Sequence, residues 1–318
     1  MKTPYFSIVI PTYNRAHSIL KGIKSILSQS FQDFEIIIID DASKDNTEEV
    51  VQEIKDKRVR YFRNEDNLER CHSRNKGIEL ATGKYICFLD SDDYHLPNHL
   101  EILYTSIQAK NEPEAFFFVN AWDETEDGER SERLCPLVEA LETNIYTYFL
   151  RYTVNPQRWC VHREIFEKVK FDPEVIICED MDTSLRIAAK DFPIYQIAER
   201  TTVYVATSDS FTHGDARKWE KELFYLKRIF AKKELKGKLP VKDQHRLLSM
   251  CYFHLSRKSF EKKQRLKTII YSFKSFFLCY NGYNGKTNKI LINNFIKSFY
   301  PFLNSHDKKN ISEVSNEF

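Results

Sequence analysis

"DFEIIIIDD", residues 33–41, runs through four consecutive isoleucines and ends on two aspartates. A strand with one wet face alternates apolar and polar residues; a run apolar at every position has both faces covered, as in a parallel sheet flanked by helices. The neighbouring segments agree. Upstream, "YFSIVIPTY" (5–13) is another buried strand. The following "NRAHSILKGIKSILSQS" (14–30) sets Ile19, Leu20, Ile23, Ile26 and Leu27 at helical spacing, with Asn14 as candidate N-cap. Downstream, Asp45 and Glu48 form a D-x-x-E start signal for a helix over 47–55. "RVRYFRN" (58–64) reads as a third strand, 68–81 as a helix closed by Gly83, and "KYICFLD" (84–90) as a fourth strand.

Strand and helix in alternation predict an α/β fold with a mostly parallel central sheet. In such sheets ligands bind at the carboxyl ends of the strands. "PTYN" (11–14), "DDAS" (40–43) and "DSDD" (90–93) are three such ends, so the sequence predicts that they line one cleft. Further on come strand-like "EAFFFVNAW" (114–122) and "RWCVHR" (158–163), a short helix to Val169, a helix over 178–191 and strands near 194–207.

The 318 residues are 42% hydrophobic and 30% charged, a globular composition with room for one large domain and an appendage. There is no internal repeat, no signal-peptide pattern at the N-terminus and no apolar run long enough to span a bilayer. Seven cysteines, with no C-x-x-C pair, fit reduced thiols in the cytoplasm better than a disulfide framework or a zinc site. The net charge of +2 hides a split: residues 1–213 carry 25 Lys and Arg against 37 Asp and Glu, whereas 214–318 carry 23 against 9. An acidic body with a basic extension suggests two jobs.

Three carboxylates in "DSDD" repel one another unless a positive partner sits among them. Asp90 and Asp92, two apart in an extended chain, point to the same side and suit a cation that takes its other ligands from phosphate and water. The plainer alternative is that they cap the next helix, where Pro97 fits the first turn. An EF-hand is excluded by Tyr94 and His95, which stand where an oxygen ligand and a glycine belong. Asp40 and Asp41 suit either the N–H of a base or a turn, and Tyr13 either stacks on a base or shields the sheet edge. Arg70 and Arg74, one helical turn apart, suit phosphate or plain solvation. No G-x-G-x-x-G follows the first strand and no P-loop occurs, so dinucleotide and P-loop sites are excluded.

"FSIVIPTYNR", "DFEIIIIDDASKDNT", "SRNKGIELATGKYICFLDSDD" and "CEDMDTSLRIA" stand in the order and spacing of the family 2 glycosyltransferases, which 5–213 resembles. The resemblance implies an inverting enzyme with a GT-A fold, a nucleotide-sugar donor (commonly a UDP-sugar) and a divalent cation, Mg or Mn. It implies base contacts from Pro11, Thr12, Tyr13, Asn14 and Asp41, with Asp40 beside them. Arg74 and Asn75 match the arginine-asparagine pair before the D-x-D strand. Asp90 and Ser91 would meet the nucleotide, Asp92 would be the main metal ligand with Asp90, and Asp180 the general base with Glu179 beside it. Two departures stand out. Where many relatives carry Y-R-x-H, this chain has "YVAT", with Thr207 for the histidine; His213 follows six residues on. Trp159 is placed on the acceptor side, so acceptor choice is not transferable.

The expected organisation is a GT-A domain over 1–213, a basic amphipathic helical region over 214–305 and a disordered tail over 306–318. In "RLKTIIYSFKSFFLCY" (265–280), Leu266, Ile269, Ile270, Phe273, Phe276, Phe277 and Tyr280 form one helical stripe. Such a helix lies on an anionic membrane surface or packs as core, on the body or in a homodimer. No nucleic-acid motif occurs. The expected function is sugar transfer to a glycan or lipid-linked acceptor in bacterial cell-surface polysaccharide synthesis, in the cytoplasm or at the inner face of the plasma membrane. The rivals are a catalytically silent scaffold that binds nucleotide or glycan, and a sugar-1-phosphate nucleotidyltransferase, whose glycine-rich first loop is absent.

Overall fold

The isoleucine run forms β2 (Phe34–Asp40), buried at every position. The computed structural model describes residues 3–133, 136–138, 144–206 and 217–279. β1 (Phe6–Thr12) pairs in parallel with β2, from Phe6 opposite Phe34 to Thr12 opposite Asp40. β3 (Val59–Arg63) lies parallel on the other side of β2, and β4 (Tyr85–Phe88) parallel on the other side of β1. The crossovers are α1 (Ile19–Leu27), α2 (Thr47–Gln52) and α3 (Glu69–Leu80). Ile19, Ile23 and Ile26 of α1 share a core with Ile8, Ile10, Ile36 and Ile38, the side chains that point to one face of the sheet.

The chain continues through β5 (Tyr94–His95), α4 (His99–Gln108), β6 (Phe116–Glu124), β7 (Arg130–Glu132), α5 (Ile145–Arg151), β8 (Trp159–His162), α6 (Arg163–Lys168), α7 (Glu179–Ala188) and β9 (Ile194–Val205). The nine strands among the described residues join one sheet in the order β3-β2-β1-β4-β8-β6-β9-β5, with β7 on β6. The sheet is mostly parallel by paired residues, as expected, and mixed beyond the first four strands. β8 runs antiparallel to both β4 and β6, and β5 antiparallel to β9, so parallel order holds for the first four strands and the β6–β9 pair. An apolar run reports burial on both faces but carries no direction: β6 and β9 run with the first four strands, whereas β8, β5 and β7 run against them.

Two local assignments also differ. The N-cap of α1 is Ser18; Asn14 instead takes a left-handed backbone, φ 51°. α3 ends at Leu80, capped by Ala81, and Gly83 serves a close approach: a Cβ there would lie 2.7 Å from the Ser7 backbone nitrogen.

Residues 1–214 and 215–318 form separate compact units. The second contains α8 (Lys218–Phe230), a 3-10 turn at Lys233–Leu235, α9 (Val241–Glu261) and α10 (Arg265–Cys279), with Leu226, Ile229, Leu247, Cys251 and Leu255 buried. Thr207, His213, Tyr280, the end of the basic region and the 306–318 tail lie outside the described residues.

Candidate active site

At the carboxyl ends of β1 and β2 the two following loops are bonded to each other. The Asp41 N–H donates to the Thr12 carbonyl (2.8 Å), the Asn14 N–H to Ser43 Oγ (2.9 Å) and the Lys44 N–H to Asn14 Oδ1 (2.7 Å). Asn14 and Ala42 (φ 64°) both hold left-handed backbone here, a strain that persists only where the surroundings enforce it. Asp40 is buried with both oxygens engaged: Oδ1 accepts from the Ser43 N–H (2.7 Å), Oδ2 from the Tyr61 hydroxyl (2.6 Å). Burial, and then Asp40, push the Tyr61 phenol up. Asp40 therefore shapes the loop.

Asp41 takes both of its side-chain bonds on Oδ1, from Asn64 Nδ2 (2.7 Å) and the Leu68 N–H (3.0 Å). Buried Thr12 Oγ1 has no hydrogen-bond partner among the described residues. Pro11 precedes it in β1, half-buried, and Tyr13 is 38% exposed. Tyr13, Ser43, Lys44 and Arg63 border a cleft of about 770 Å³.

The repulsion within "DSDD" is relieved in three directions. Arg74, 2% exposed, donates Nη2 to Asp90 Oδ1 (2.9 Å) and Nη1 to Glu179 Oε1 (3.0 Å), with its guanidinium 5.4 Å from the Phe171 ring centre. Its Nε has no acceptor among the described residues. Burial opposes that charge, but Asp90 and Glu179 outweigh it and hold the guanidinium protonated. Asp92 lies 3.8 Å from Arg15 Nη2, its side chain about a quarter exposed. Asp93 turns inward, where its oxygens accept from the Val205 N–H (2.8 Å) and Gln157 Nε2 (2.7 Å). Burial pushes its carboxyl far up, reinforced by Asp92 and Asp90. Ser91, between Asp90 and Asp92, is buried.

Cys178, φ 63°, turns the chain into α7, and Glu179 and Asp180 fill the first turn. Asp180 is 8% exposed. Burial raises its carboxyl to about 7, aided by Glu179 and opposed by the Met181 N–H, Arg74 and Arg70.

Two candidates are placed elsewhere. Trp159 is not on an acceptor surface: it is fully buried, stacked on Phe171 at 5.6 Å, and donates its indole N–H to the Val154 carbonyl. Its size led to the acceptor assignment, but size equally suits core. Asn75 pairs with the Phe171 backbone in both directions (2.9 and 3.0 Å), so its amide pins the segment leading to α7. Residues not anticipated include Arg15 and Tyr204. Burial holds the Tyr204 phenol up, and Arg158, Arg133, Asp93 and Asp90 all act on it. Tyr204 donates to Asn155 Oδ1 (3.1 Å) and packs its ring 3.8 Å from the Arg133 guanidinium. The sequence signal for Arg15 was its place in "PTYNR"; Tyr204 carried none.

Among the described residues no three His, Cys, Asp or Glu gather into a metal cage. A cation held by Asp90 and Asp92 alone would have to complete its shell from a diphosphate and water, the donor set Mg²⁺ prefers.

The family model described as Glycosyl transferase family 2 matches residues 7–169. An uncharacterized glycosyltransferase of Methanocaldococcus jannaschii is 35% identical over 205 residues, 63% of this chain and 70% of its own length. The GalNAc(5)-diNAcBac-PP-undecaprenol beta-1,3-glucosyltransferase of Campylobacter jejuni is 40% identical over 126 residues, 39% of this chain and only 40% of its own. Among solved structures, S. aureus TarS 1–349 in complex with UDP-GlcNAc superposes with a TM-score of 0.66 at 17% identity, covering 92% of this chain and 89% of that one. The likeness to TarS establishes the GT-A type of fold.

Proposed function

We propose a donor, an acceptor class and a base for this chain, which belongs to glycosyl transferase family 2 and is a glycosyltransferase. The donor is a UDP-sugar, the acceptor a hydroxyl of a glycan or lipid-linked sugar in cell-surface polysaccharide synthesis, and transfer inverts the anomeric carbon. TarS holds UDP-GlcNAc, and the Campylobacter relative is named for an undecaprenyl-diphosphate-linked acceptor.

One observation carries the reading. Arg74 joins Asp90 of the D-x-D loop to Glu179 of the α7 turn, so the diphosphate end and the base end of the site form one bonded unit. Removing one partner of so buried a pair costs about 3–5 kcal/mol. Tyr13 offers a ring face to the base and Asp41 a carboxylate to its N–H. Asp92, with Asp90, would hold the divalent cation, which when bound neutralises charge on the departing nucleoside diphosphate. Arg74 orients Asp90. Asp180, with its raised affinity for a proton, takes the proton from the attacking acceptor hydroxyl. Tyr204 and Asn155 offer polar groups to the acceptor.

A silent scaffold would keep the loops but has no use for a buried carboxylate held partly protonated, an arrangement characteristic of working acids and bases. The test is a panel of nucleotide sugars with Mn²⁺, read as slow nucleotide release, on the parent and on Asp180→Asn. One donor should be hydrolysed by the parent. The variant should bind that donor equally and turn it over on the order of a hundredfold or more slowly. Equal turnover by both proteins removes Asp180 as base; no donor bound by either supports a different function.

A further inference from the structure

α10 is built the opposite way round from a helix in a water-soluble unit. Its buried side, against α9, is small and polar: Thr268 and Ser272 are 3% exposed and Ser275 is fully buried. Ser249 Oγ donates to the Ser275 carbonyl and Ser275 Oγ to the Ser249 carbonyl, both at 3.0 Å; Ser256 Oγ lies 2.6 Å from Ser272 Oγ. Four of its large apolar side chains face out, while Ile269, Tyr271, Phe276 and Leu278 are half-buried. Leu266 is 71% exposed, Ile270 41%, Phe273 51% and Phe277 59%. Their spacing of four, three and four residues makes one continuous stripe.

In a soluble unit the large apolar side chains face the core. Small hydroxyl residues between helices with Leu and Phe outward is the arrangement of helices surrounded by lipid. α10 is too short to span: fifteen residues rise about 22 Å against a hydrocarbon core of about 30 Å. No described helix is long and apolar enough to cross a membrane. Residues 262–279 also hold Lys262, Lys263, Arg265, Lys267 and Lys274 and no acid, which selects an anionic partner.

We infer that the Leu266–Ile270–Phe273–Phe277 stripe is a docking surface that lies flat in the interface of an anionic bilayer. This deepens the lipid-linked acceptor reading and rests on it only for its use, since it puts the enzyme where such an acceptor resides.

The test uses the full chain and sedimentation with vesicles, without nucleotide. The parent should sediment with phosphatidylcholine vesicles containing phosphatidylglycerol and remain in solution with phosphatidylcholine alone. The double variant Phe273→Asp, Phe277→Asp, at two exposed positions, should keep its circular dichroism and donor hydrolysis and lose roughly tenfold or more in vesicle affinity. Absence of vesicle binding by the parent overturns the inference, as does undiminished binding by the variant. So does a parent dimer that the variant dissociates with vesicle binding unchanged, which makes the stripe an interface between copies. Donor hydrolysis in solution reads the transferase chemistry independently, so the two failures are distinguishable.

Discussion

The base role proposed for Asp180 sets two conflicting requirements. As a base it must be near the acceptor and out of bulk water, but burial favours its neutral form. Its folded-state value of about 7 against 3.8 for the free side chain sets two pH effects. The rate of transfer, read as kcat/KM, should rise with pH through the neutral range as Asp180 loses its proton. Glu179→Gln removes the second cause of the shift and should move that limb to lower pH; an unmoved limb assigns it to another group. Stability has the opposite sign. Below pH 3.8 both states hold the proton, between 3.8 and about 7 only the folded state does, and folding therefore weakens as pH rises across that window and stays weakened above it. Asp180→Asn removes the penalty. At pH 8 it should raise the melting temperature by several degrees, about 2–4 °C for each kcal/mol of penalty removed, while abolishing transfer. A lower melting temperature contradicts this account of the burial.

The elements that sequence revealed are those whose every residue carries the signal. β1 and β2 carry the near-continuous apolar runs Ile8–Ile10 and Ile36–Ile39, and α1 repeats its isoleucines every three or four residues, so the type of all three and the extent of the two strands were legible, though not where α1 begins. β5 spans two residues and β7 three exposed ones, too few for any period. The candidate site was legible as motifs and opaque as bonds. Arg74 stood out by its place before β4, but its partner Glu179 is 105 residues away, and no local pattern announces that pair. Asn75 and Trp159 have side chains suited to ligand contact, and only tertiary packing directs one to the Phe171 backbone and the other to the core. Gly83 shows the same limit: it read as a helix stop, whereas it lets the start of β4 approach β1. Its N–H donates to Ser7 Oγ at 2.8 Å, and an added Cβ would sit 2.8 Å from the Phe6 carbonyl carbon. Gly83→Ala should therefore cost about 1–3 kcal/mol in chemical denaturation. Gly128, at φ 83° with nothing within 4 Å of an added Cβ, is the control: its alanine variant meets backbone strain alone. If the Gly83 variant is no less stable than the parent, the close approach is not tight.

At the scale of the whole chain, an excess of acid over 1–213 is set against an excess of base over 214–318. An acidic catalytic unit is repelled by an anionic bilayer, and on the docking inferred for α10 the basic unit, carrying its apolar stripe, would offset that repulsion. The balance is set by ionic strength. Raising salt from about 0.05 M to about 0.5 M shortens the screening length from more than 10 Å to under roughly 5 Å, and exposed lysines lose most of their long-range attraction. The chemistry within the site, made by buried groups in direct contact, is screened far less. Transfer to an acceptor embedded in anionic vesicles should thus fall several-fold over that range, while donor hydrolysis in solution changes little. The Phe273→Asp, Phe277→Asp variant should start low on vesicles and respond weakly to salt, because the apolar stripe and the charges act on one binding step. A parallel loss of hydrolysis and vesicle transfer would place the salt effect in the donor site, and the two units would then share one electrostatic role.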